Sequence, residues 1–143
     1  MSGIGRIHAD LHRKLRQRYG PEGTELLGQV MYDMGGEQAT GIVESLGMTR
    51  DLEGCAYAVM LMHRIFGIKS RITQKNEHEV AIEINDCRWG RRTGGWIPEM
   101  CITMGRYEDG VIETILPSAR HSYETRHTIG GGTCNLVIEL NHA

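Results

Sequence analysis

The stretch Thr128-Ile129-Gly130-Gly131-Gly132-Thr133-Cys134-Asn135-Leu136-Val137-Ile138-Glu139-Leu140 decides the fold. Three successive glycines carry too much backbone entropy for a helix or strand interior, so they read as a turn. The residues after them alternate. Cys134, Leu136, Ile138 and Leu140 share one face of a strand, and Asn135, Val137 and Glu139 share the other. Cys134 therefore leads an otherwise apolar face and is expected to point inward.

Upstream of the glycines, His121, Tyr123, Thr125, His127 and Ile129 repeat with period two and predict the strand that precedes this hairpin. Pro117 closes a helix that opens at Pro98-Glu99 and holds Cys101, Met104, Ile112, Ile115 and Leu116, with a bend expected at Gly105 or Gly110. Before it lies an earlier hairpin. Ile68, Ser70 and Ile72 form one strand, Lys75-Asn76-Glu77 a turn, and Val80, Ile82 and Ile84 the other strand. The loop between Asn85 and Gly95 carries Cys87 and Trp89 among arginines and glycines.

The first third of the chain is helical in period. Ile4, Ile7, Leu11 and Leu15 have helical spacing, and Tyr19-Gly20-Pro21 ends that segment. A second helix runs from Pro21 to about Leu46 with Leu27, Val30, Met31, Met34, Ile42, Val43 and Leu46 inward. Gly35-Gly36 and Gly41 interrupt it and predict a kink or a close contact. A third helix, capped by Thr49 or Asp51, presents Leu52, Cys55 or Ala56, Val59, His63 and Phe66. The order ααα-ββ-α-ββ predicts one α+β domain over residues 1–143, an antiparallel sheet of about four strands with helices packed on one face.

Composition narrows the partners. With Lys+Arg 16 against Asp+Glu 18, the formal charge of -2 gives no electrostatic case for nucleic acid or an anionic membrane. Arg13, Lys14, Arg16 and Arg18 read as a solvated helix face. No apolar run is long enough to span a bilayer, and the polar N-terminus does not read as a signal peptide. Four cysteines in such a chain read as reduced thiols or metal ligands, so a cytoplasmic location is expected.

The candidate site follows from topology. Cys87 ends the second strand, Cys101 lies in the first turns of the fourth helix and Cys134 begins the last strand. If the second and fourth strands are neighbours, all three sulfurs gather at one end of the sheet. Such a set could hold zinc, iron or an iron-sulfur cluster, with His63, His121, His127 or water completing it. The three cysteines are not spaced as C-x-x-C. Cys55, on a helical stripe, reads as core. His63 is a candidate fourth ligand or general base, against the reading of a satisfied core histidine. His127 is a candidate base, either alone or as the partner of a nucleophilic Cys134. Arg88, Arg91 and Arg92 are candidate anchors for a substrate carboxylate, and Trp89 and Trp96 read as a lid over the pocket or as rim packing.

Cys87 after a strand, Cys101 in a helix, and a glycine-rich turn leading to Cys134 and an alternating strand resemble the L-2-amino-thiazoline-4-carboxylic acid hydrolase-like family. A more distant resemblance is to small-molecule-binding domains of the four-vinyl-reductase type. The similar region runs from about Tyr19 to Leu140 and includes Leu61-Met62-His63-Arg64. The resemblance implies a compact α+β domain with a cysteine-lined site. Two functions are expected: a metal-assisted hydrolase of a small cyclic amidine or amide, or a non-enzymatic sensor or accessory module. The second would bind an iron-sulfur cluster, a tetrapyrrole or another small ligand. A homodimer or a partner protein is allowed for, and docking of the arginine-rich first helix on a partner is left open.

Overall fold

A computed structural model describes residues 3–87, 89, 95–125 and 133–141. Three helices come first: α1 (Gly3–Tyr19), α2 (Pro21–Leu46) and α3 (Leu52–Ile65). The hairpin strands β1 (Lys69–Lys75) and β2 (Glu79–Asp86) follow, then α4 (Pro98–Ile115), β3 (Ala119–Thr125) and β4 (Cys134–Leu140). The expected order of elements and α+β class are therefore observed. The triple glycine itself, with Thr128 and Ile129, lies outside the described residues.

The four strands form one antiparallel sheet in the order β1-β2-β4-β3. Its middle seam pairs Val80 with Ile138, Ile82 with Leu136 and Ile84 with Cys134. Because side chains alternate along a strand, those six residues share one face. Val80, Ile82, Leu136 and Ile138 pack in one core with Cys55, Val59 and Met62 of α3 and Val111, Ile112 and Ile115 of α4. Cys134 continues that row at the end where β2 runs out towards Cys87.

Local chemistry sets the element ends. Asp51 is the N-cap of α3 and accepts from the Gly54 backbone N–H at 2.8 Å. Gly47 closes α2 in the left-handed region at φ 61°. Asn76 accepts from the backbone N–H groups of His78 and Glu79, fixing the β1-β2 turn.

Helix α2 runs through its glycines without a break and uses two of them for contact. Gly35 lies against the Tyr107 carbonyl of α4, and Gly110 of α4 lies against the Tyr32 carbonyl of α2. Side chains at either position would hold the two backbones apart. This close crossing changes which apolar residues are inside. Leu27 is buried, and Met31, Ile42 and Val43 pack against the core, but Val30, Met34 and Leu46 are exposed, contrary to the expected inner face. In α1 the buried residues are Gly5, His8, Ala9 and His12, and the apolar Ile4, Ile7 and Leu11 are outside.

Candidate functional site: a cavity lined by three cysteines

Five elements, α3, β2, α4, β3 and β4, and two tryptophans enclose a cavity of about 70 Å³ at the end of the sheet. Cys87, just past β2, Cys101 of α4 and Cys134 at the start of β4 all contribute to its wall. The convergence follows from the β2-β4 seam: Cys134 opposes Ile84, and Cys87 lies three residues beyond that rung. His63 of α3, Met104, Gly105 and Glu108 of α4, and Tyr123 of β3 complete much of the lining.

The tryptophans are wall, not an open flap. Trp89 is buried, edge-on to Phe66 at 5.4 Å and to Trp96 at 6.3 Å between ring centroids. Trp96 donates its indole N–H to the Cys101 sulfur at 3.1 Å and stacks at a tilt near His8 of α1, at 5.7 Å. His8 in turn lies 2.8 Å from the Thr103 hydroxyl, which ties α1 to the helix carrying Cys101. Burial, reinforced by nearby His12, lowers the His8 pKa to about 4, so this contact is made by a neutral ring. Both His12 nitrogens are buried without a hydrogen-bond partner among the described residues.

Behind the sulfurs lies a polar network centred on Glu108. Its Oε1 is 2.8 Å from His63 Nε2, and its Oε2 accepts from the Tyr123 hydroxyl at 2.6 Å. His121 Nε2 is 3.3 Å from the same Oε2, and His121 Nδ1 is 2.8 Å from Asp109 Oδ1. His63 Nδ1 reaches the Ser70 hydroxyl at 3.0 Å, so both its ring nitrogens are engaged. Burial on its own would raise the Glu108 carboxyl, but the hydrogen bonds and charges of His121 and His63 outweigh it and hold the group well below the usual carboxylate range. Burial likewise opposes the charged form of His121, yet Asp109 and Glu108 push that ring up to about 9. Burial and the Glu108 charge raise Tyr123 well above an ordinary phenol. At neutral pH the cavity wall therefore carries an ionised carboxylate, an imidazolium behind it and a neutral phenol.

Of the expected site residues, Cys87, Cys101, Cys134, His63, Trp89 and Trp96 share this one cavity. Arg88, Arg91, Arg92 and His127 lie outside the described residues. None of the four cysteines is disulfide-bonded. Among the described residues no group of three His, Cys, Asp or Glu side chains could hold a metal ion, so the expected set Cys87, Cys101, Cys134 and His63 converges on a cavity without forming such a group there. Cys55 is core as expected, fully buried, with its thiol pushed up to about 12 by desolvation. The sequence reading missed Glu108 and Asp109. The signal was the helical spacing of Cys101, Gly105 and Glu108, which puts a carboxylate on the same side of α4 as the thiol.

The family model for L-2-amino-thiazoline-4-carboxylic acid hydrolase matches residues 4–138, nearly the whole chain. The chain belongs to that family. No curated protein matches it. Among solved structures, this family member is similar to a trafficking protein particle complex subunit 3 from Naegleria fowleri covalently bound to palmitic acid. The identity is 12%, the coverage 97% of this chain and 93% of that one, and the TM-score 0.72. It is also similar to the phenol-responsive sensory domain of the transcription activator PoxR with phenol. There the identity is 15%, the coverage 97% and 73%, and the TM-score 0.64. At such identities the likeness is one of fold. No helix among the described residues is long and apolar enough to cross a membrane.

Proposed function

We propose that the cavity binds a small cyclic amidine and opens its ring by hydrolysis, with Cys101 as nucleophile. The supporting observation is that three sulfurs and one ionised carboxylate share the wall of a single 70 Å³ cavity. That space suits a small ring or a few waters and no more. A carboxylate kept ionised by its surroundings favours a cationic N–H donor such as an amidinium, and each of its oxygens has more than one acceptor site.

In this reading Cys101 bonds to the amidine carbon while the C=N electron pair moves onto nitrogen, which takes the thiol proton. The ring bond from that carbon to its heteroatom then breaks, the heteroatom leaving with the electron pair and taking a proton from nitrogen as C=N re-forms. Water adds across that C=N, and the Cys101 sulfur departs with the hydroxyl proton, leaving a carbonyl and the free thiol. Trp96 holds the sulfur through its N–H, and Glu108 orients the amidinium. His63, with both nitrogens engaged by Glu108 and Ser70, acts as a positioning residue for the carboxylate.

The test uses L-2-amino-thiazoline-4-carboxylic acid, the compound after which the family is named. Both tryptophans of the chain line the cavity, so binding is read from their fluorescence, and ring opening from chromatography. Cys101→Ser should retain binding and lose turnover by about 100-fold or more. Binding without ring opening in wild type would favour the second reading, a ligand-sensing module. That reading is supported by the largely apolar lining of Ile68, Ile84, Trp89 and Met104. Metal analysis of anaerobically purified protein is run alongside. Stoichiometric zinc or iron that disappears in Cys134→Ser would replace the thiol mechanism with the metal or iron-sulfur reading.

A further inference from the structure

Helices α1 and α2 carry their large apolar residues on the outside. In α1, Ile4, Ile7 and Leu11 recur one helical turn apart and are 47%, 61% and 45% exposed. In α2, Leu26, Val30 and Met34 repeat every fourth residue and are 58%, 48% and 40% exposed. The inner faces of both helices are built largely from small residues, among them Gly5 and Ala9 in α1 and Gly23, Gly28, Gly35 and Ala39 in α2. A stripe of this kind on each arm of a helical hairpin is more than scattered surface hydrophobicity.

The two arms also differ in charge. Helix α1 has the cations Arg6, Arg13, Lys14, Arg16 and Arg18 against one acid, Asp10. Helix α2 has Glu22, Glu25, Asp33, Glu37 and Glu44 and no lysine or arginine. We propose that this hairpin is the interface between two copies of the chain, with α1 of each copy lying on α2 of the other. The apolar stripes then cover one another and the basic flank meets the acidic flank, a contact made twice around a two-fold axis. An anionic membrane would attract α1 but repel the five acids of α2 in the same hairpin, which is why a second copy is the better occupant.

Sedimentation and light scattering of the full chain test the proposal. Wild type should be a dimer with twice the chain mass of 16.0 kDa. Ile7→Glu and Val30→Glu should each yield monomer with an unchanged far-ultraviolet circular dichroism spectrum. The charge arm guards against misfolded variants. Lys14→Glu with Arg18→Glu should weaken the dimer by about tenfold or more, and adding Asp33→Lys with Glu37→Lys should restore it. A monomer persisting at about 100 μM, far above the Kd of a stable interface, would overturn the proposal. So would an open series of oligomers, or wild-type monomer that cosediments with vesicles of anionic phospholipid.

Discussion

His121 Nε2 lies 3.3 Å from Glu108 Oε2, and this contact joins an imidazolium of β3 to a carboxylate of α4 behind the cysteine cavity. The ring is raised to about 9 in the folded chain against a usual value of 6.5. Its stabilisation is therefore complete below about pH 6.5 and fades as pH rises through about 9. Glu108 is shifted the other way, so its stabilisation is present above its unfolded value and lost in acid. Urea midpoints should be flattest between about pH 5 and 6.5 and fall on both sides, the alkaline loss developing between about pH 6.5 and 9 and being on the order of 3 kcal/mol. His121→Gln should flatten the alkaline limb.

Glu108→Gln keeps the shape of the side chain but removes the charge that His63, His121 and Tyr123 surround. Breaking a buried pair on one side typically costs about 3–5 kcal/mol. The variant should unfold at clearly lower urea, and the His121 resonance should titrate well below its wild-type midpoint by NMR. An unchanged His121 midpoint would show that Asp109 alone holds that proton.

The crossing of α2 and α4 makes a sharp prediction about alanine. Gly35→Ala places a methyl group on the Tyr107 carbonyl of α4, so the helices must move apart, with a loss of about 2 kcal/mol or more. Gly41→Ala on the same helix meets only open space and should be neutral or stabilising by up to about 1 kcal/mol. Thermal denaturation of the pair distinguishes close contact from general intolerance of α2.

The thiols should separate by position. Cys55 is fully buried with a pKa near 12, so alkylation should reach it only through unfolding. Its labelling rate should follow urea concentration as the unfolding equilibrium does. Cys101 accepts from Trp96, and Trp96→Phe should change its alkylation rate while leaving that of Cys55 unaltered.

The alternation from Cys134 to Leu140 and the apolar triplet Val80, Ile82, Ile84 were enough to read two inner strand faces, because a pleated strand has a fixed period. The stripe of α3 was equally legible: Val59 and His63 both lie inside. The surfaces of α1 and α2 were not. There the helix packing depends on Gly35 and Gly110, and residues without side chains leave no mark in a hydrophobic pattern. The gathering of Cys87, Cys101 and Cys134 could be argued only on condition that β2 and β4 are neighbours, since sequence periodicity carries no information on strand order. Glu108 escaped for a related reason, as its partners come from two other elements, His63 from α3 and His121 and Tyr123 from β3.

The central seam joins two hairpins that are separated in the chain by the whole of α4. Its pairing is non-local, so bringing Ile84 to Cys134 closes a longer stretch of chain, at a larger entropy cost, than closing either hairpin. The cavity exists only once that seam is closed, because Ile84 and Cys134 both line it. Under the ligand binding proposed above, occupancy would act as a latch on the finished sheet, raising resistance to unfolding in proportion to the logarithm of guest concentration.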